Sequence, residues 1–132
     1  ITRIAKAEAM AFGAPEPDVS IESDYTPATY NDPDTTARTM KAIGKSIGAA
    51  NVKEMKPVMG GEDFSQYSRT EEKIPSVIFW VGAVEPEKYA AAQNGGPSLP
   101  SLHSSGFAPD YDPTIATGVE AMTAAAMELF KD

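Results

Sequence analysis

Apolar positions set out the elements before any single residue type is weighed. Over residues 1–12, Ile1, Ile4, Ala5, Ala9 and Phe12 recur near helical spacing, and Gly13 suits a helix end. Pro15 and Pro17 mark a short linker. From Val19 to Tyr25 the chain alternates, with Val19, Ile21 and Tyr25 on one side and Ser20, Glu22 and Asp24 on the other. That alternation predicts a half-buried strand. Pro27 ends it, and Asn31-Asp32-Pro33-Asp34 opens a helix, with Asp32 as N-cap, Pro33 in the first turn and Asp34 at the positive end of the dipole. The helix is expected to reach Ile47, to bury Ala37, Met40, Ile43 and Ile47, and to stop at Gly48.

A short strand is expected around Val52–Met55, and a brief helix from Glu62 to Ser68. Val77-Ile78-Phe79-Trp80-Val81 is the most apolar run, and its β-branched content predicts a strand buried on both faces and lying in a different sheet from 19–25. Residues 85–101, with Pro86, Gly95, Gly96, Pro97 and Pro100, predict a long loop. A second Asp-Pro pair, Asp112-Pro113, starts a last helix running to about Phe130, with Ile115, Val119, Met122, Ala126 and Leu129 as its apolar stripe.

Composition narrows the chemistry. The net charge of −8 argues against a nucleic-acid surface, which needs clustered Lys and Arg. No apolar run approaches the roughly 20 residues that span a bilayer, so neither nucleic acid nor membrane is expected as a partner. With no cysteine there are no thiolate ligands. The compartment is not fixed by composition; a cytoplasmic setting is expected, or a periplasmic one should a signal peptide lie upstream.

One histidine carries most of the chemical interest. His103 lies in Leu102-His103-Ser104-Ser105-Gly106, a small polar run after the 85–101 stretch. A lone histidine is more often structural than a ligand, but a turn-rich loop is where side chains converge on a cleft. A zinc-type ion takes about four ligands, so one imidazole serves only as a member of a larger set. In Gly60-Gly61-Glu62-Asp63-Phe64 the glycines let backbone approach a ligand, and the two carboxylates could orient a metal-bound group or simply compensate the helix dipole. No P-loop, dinucleotide fingerprint, His-Glu-x-x-His helix or Gly-x-Ser-x-Gly elbow occurs.

The order of Tyr30-Asn31-Asp32-Pro33, Val58-Met59-Gly60-Gly61-Glu62-Asp63-Phe64-Ser65, Ile74-Pro75 before the apolar run, and Leu102-His103-Ser104 resembles the M20 metallohydrolases. The likeness is greatest to their branch of hippurate hydrolases and N-acyl-amino-acid amidohydrolases. The resemblance implies an α/β fold. Residues 1–27 would be the last helix and strand of an α/β lid that often dimerises, and residues 28–132 the C-terminal part of a mixed-sheet catalytic domain. It implies two divalent ions (zinc, manganese or cobalt), water-driven cleavage of the amide in N-acyl-amino acids or short peptides, and a homodimer through the lid. On this chain it implies His103 as a metal ligand, and Asn31, Gly60, Gly61, Glu62 and Asp63 as substrate-binding residues or supports of the ligands. The general-base glutamate and the other ligands would lie in an N-terminal half outside this sequence, leaving this chain inactive alone. A non-catalytic association module derived from the same family is the alternative.

Overall fold

The computed structural model describes residues 1–131. Its regular elements are α1 (Thr2–Ala11), α2 (Pro33–Ile47), α3 (Pro86–Gln93) and α4 (Tyr111–Leu129), with 3-10 turns at Ala49–Asn51 and Asp63–Arg69. The centre is the pairing of α2 with α4, and α2 also meets the Ala49–Asn51 turn. α1 packs against none of the other elements and buries no residue.

α2 starts as its sequence dictates. The Asp32 carboxylate accepts from the Thr35 N–H at 2.8 Å, Pro33 fills the first helical position, and Gly48 ends the helix at φ 91°. A left-handed φ of this kind costs glycine no Cβ strain. The Thr35 hydrogen bond holds the Asp32 carboxyl below its ordinary value of 3.8. Because the folded value is depressed, this cap's contribution is present above that ordinary value and fades as pH falls through the folded one. Asp32→Ala should therefore lower the melting temperature at neutral pH, while Asp32→Asn, which still caps, lowers it less. The gap between wild type and the alanine variant should narrow in acid. A gap independent of pH would show that the carboxylate is not the cap.

Ile43, Ala121 and Ala125 form the buried apolar core, with Met40, Ile47, Val52 and Phe79 packed around it. Thr39 is also buried, and its hydroxyl donates to the Thr35 carbonyl at 2.8 Å. At the edge of the pair, Arg38 Nη2 donates to the Glu128 and Lys131 carbonyls at 2.8 and 3.0 Å. A cation there satisfies acceptors that a helix C-terminus leaves free. Ser46 Oγ donates to Glu120 Oε1 at 2.6 Å between the same two helices.

The mixed-sheet α/β expectation is overturned: among the described residues there is no strand and no sheet. A strand is defined by a ladder of backbone bonds to a neighbour, and no described segment supplies that neighbour. Val19–Tyr25 forms no regular element and bends at Ser23-Asp24, and Ile21 and Tyr25 are exposed along with Ser20, Glu22 and Asp24. Residues 77–81 form no regular element either, and their burial alternates. Val77, Phe79 and Val81 are half-buried, while Ile78 and Trp80 are exposed. No strand forms at 52–55.

Three further expectations fail. The 85–101 stretch contains α3, opened by Pro86 and ended where the Gly96 N–H donates to the Ala91 carbonyl at 2.9 Å. A Cβ on Gly96 would stand 2.7 Å from that carbonyl oxygen, so the glycine is sterically required. On α4 the larger apolar residues face outward: Ile115 is 62% exposed, Val119 63% and Met122 60%. The face turned to α2 holds Ala121 and Ala125 instead. Ala37 of α2 is exposed as well.

Candidate functional site

The Gly60–Phe64 segment is held by one carbonyl. Glu62 C=O accepts from Ser65 Oγ at 2.9 Å, from the Ser65 N–H at 3.4 Å, and from Thr29 Oγ1 at 3.2 Å. The Glu62 carboxylate accepts from the Phe64 N–H at 3.2 Å, so in this structure it caps the Asp63–Arg69 turn. Ser65 is almost fully buried and Glu62 half-buried, whereas Asp63 is exposed. Phe64 and Tyr67 pack ring against ring at 5.1 Å on the same turn. Neither Gly60 nor Gly61 needs a left-handed φ, and a Cβ on either would make only ordinary contacts, on Gly61 with Thr26. Both glycines are exposed to solvent.

His103 stands on a turn reaching from Leu102 to Gly106, exposed to solvent. Its backbone N–H donates to Ser101 Oγ at 3.4 Å, and the Gly106 N–H donates to Ser104 Oγ at 3.0 Å. These bonds shape the loop and leave the imidazole out of them. The excursion that carries it is pinned at its base, where the Asp110 N–H donates to the Ala83 carbonyl at 2.9 Å. Asn31 lies on the segment entering α2 and hydrogen-bonds to the backbone of Ile78 through both ends of its carboxamide.

Among the described residues no group of three or more His, Cys, Asp or Glu is placed to hold a metal ion. The donor set therefore does not fit an ion within this chain alone; what it offers is one exposed imidazole with no competing side-chain partner. Hydrogen bonds link Asn31 to the apolar run and Thr29 to Glu62, but none links these to the His103 side chain. A hollow of about 370 Å³ beside α2, lined by Met40, Lys41, Gly44, Lys45, Ala49 and Val52, includes none of the expected residues. Thr29 was not singled out from sequence, and Ser65 entered only as the last residue of the Val58–Ser65 motif with no role of its own; each acts by donating to a backbone carbonyl. No helix of the described residues is long and apolar enough to cross a membrane.

Comparison with known proteins gives a family. The model of peptidase family M20/M25/M40 matches residues 5–104. Thermostable carboxypeptidases 1 and 2 of Saccharolobus solfataricus are each 32% identical to the chain over 95 residues, covering 72% of this chain and 21% of theirs. An uncharacterized hydrolase, y4tI, of Sinorhizobium fredii is 35% identical over 60 residues, covering 46% of this chain and 14% of its own. No solved structure shows a significant match. The chain thus spans about a fifth of the length of the curated carboxypeptidases it matches.

Proposed function

The chain belongs to peptidase family M20/M25/M40, and from that premise we propose that it forms part of a metal-dependent hydrolase cleaving the amide bond of N-acyl-amino acids or short peptides. The observation that carries this reading is His103: an exposed imidazole on a loop whose base is pinned, free to enter a ligand set. A divalent ion, when bound, would supply a polarising charge for the scissile carbonyl and a water of lowered pKa. His103 would contribute one ligand, and the remaining ligands and the general base would come from segments outside these 132 residues. Glu62, Asp63, Gly60 and Gly61 would border the cleft, where the exposed glycines leave backbone accessible to a substrate. We further place residues 1–27 in a separate lid through which the enzyme dimerises, and residues 28–132 in the catalytic unit. The isolation of α1 from the other helices supports that division.

Zinc or manganese titration of the 132-residue chain, followed by an amide-cleavage assay on N-acyl-amino acids and dipeptides, tests the shared site. The expected result is no tight stoichiometric binding and no turnover, with turnover appearing, and lost to a chelator, once the remaining catalytic segments are present. Tight binding with turnover by the chain alone would contradict it. Chelator-resistant turnover would remove the metal from the reading.

A further inference from the structure

The segment that enters α2 uses one side chain as if it were backbone. Asn31 Nδ2 donates to the Ile78 carbonyl at 2.8 Å, and the Ile78 N–H donates to Asn31 Oδ1 at 2.9 Å. A single carboxamide thereby takes both backbone groups of one residue, as two residues do when they exchange both bonds in a hydrogen-bonded pair of an antiparallel ladder. The orientation of the amide follows from its partners, since only its NH2 can meet a carbonyl and only its oxygen can meet an N–H. One residue on, the Asp32 N–H donates to the Ser76 carbonyl at 2.9 Å. Pro33 then turns the chain into α2, so this short contact grows no further into a ladder.

These bonds link the two candidate segments. Thr29 holds the Glu62 carbonyl, while Asn31 and Asp32 hold Ile78 and Ser76. The same segment continues to Ala83, whose carbonyl closes the base of the excursion bearing His103. Residues 29–32 therefore tie the Gly61-Glu62 segment to the rail from which the His103 loop departs.

We propose that Asn31 is a positioning residue: its carboxamide takes the place of a peptide rung on Ile78 and sets the register between the Gly61-Glu62 segment and the base of the His103 loop. The importance of that register rests on the function proposed above; the pairing itself does not. The resemblance implies for Asn31 either a substrate contact or support of a ligand; the role differs from the first, because both ends of the amide are engaged in holding the chain.

The chemistry of the pair gives a test that simple packing would not pass. Asn31→Ala removes both partners, and protection of the Ile78 amide from hydrogen exchange should fall by about tenfold. Asn31→Asp behaves differently with pH. An ionised carboxylate keeps an acceptor for the Ile78 N–H but sets a second oxygen against the Ile78 carbonyl, whereas the protonated acid offers one donor and one acceptor, as the amide does. Its folded pKa should therefore be raised, and the stability it contributes is present in acid and lost as pH rises through that value. Melting temperature and Ile78 protection should put Asn31→Asp near wild type at about pH 3 and near or below Asn31→Ala at about pH 7. Unchanged Ile78 protection in Asn31→Ala, or an Asn31→Asp profile parallel to wild type at every pH, overturns the proposal. Should Asn31→Ala not fold, the pH profile of Asn31→Asp still decides. A raised KM in the active enzyme with Ile78 protection unchanged would assign Asn31 to the substrate and leave the hydrolase reading standing. Loss of Ile78 protection, with no amide cleavage by the catalytically complete wild type, would uphold the pairing and remove the hydrolase reading.

Discussion

His103→Ala in the catalytically complete enzyme should lower kcat/KM for amide substrates by more than about a hundredfold while leaving the melting temperature nearly unchanged. Groups that merely support a metal ligand typically cost 10–100-fold when removed, so loss of the ligand itself should exceed that range. Stability should hold because His103 is exposed and bonds to Ser101 through its backbone N–H, which alanine retains. The check is paired: steady-state kinetics beside thermal unfolding and bound-metal content. Lost metal with an unchanged melt is the expected pattern. Full activity would show that the loop is a surface turn with no chemical part.

The largest effect on folding should come from Ile43→Ala. Ile43 is 3% exposed, and with Ala121 and Ala125 it makes up the buried apolar core. Truncating a buried isoleucine to alanine costs about 2–5 kcal/mol. Ala121 and Ala125 are too small to collapse into the space, and the total stability of a domain is only about 5–15 kcal/mol. The variant should lose most of its cooperative unfolding transition in urea or on heating, whereas Ile43→Val, at about 0.5–1.5 kcal/mol, should keep it. A variant melting within about 1 kcal/mol of wild type would show that the α2–α4 contact is not what holds the chain together.

What sequence reveals here follows the range of each interaction. The start of α2 was legible because its cap is local: Asp32 and Thr35 are three residues apart, and Pro33 fits only the first turn. The sheet was misjudged because alternation at 19–25 and apolarity at 77–81 record what a strand could bury, not whether a neighbour is there to pair with it. Asn31 then takes on Ile78 the bonds a neighbouring strand would have made, an arrangement that carries no sequence mark. On α4 the helical period was right but the face was wrong. Two faces compete there, one of Ile115, Val119 and Met122 and one of Ala121 and Ala125, and the small side chains are the ones buried in the contact with α2. α3 was hidden because Pro86, Gly95 and Gly96 look like loop residues, although proline suits a helix start and glycine its end.

The same contrast applies to the candidate site. Local spacing marked Gly60-Gly61-Glu62-Asp63 and His103, and the structure adds the Thr29 and Ser65 bonds that hold Glu62 in place. The two segments lie far apart in sequence, and their shared rail at 74–83 became visible only with Asn31, Asp32 and Asp110 bonded to it.

The proposed hydrolase depends on His103 giving its imidazole to a metal. Anomalous scattering at the metal edge, from crystals of the catalytically complete enzyme grown with zinc, tests it most directly. An ordered ion about 2.0–2.1 Å from a ring nitrogen of His103 is expected. A fully occupied catalytic ion with the His103 ring pointing away into solvent would contradict it.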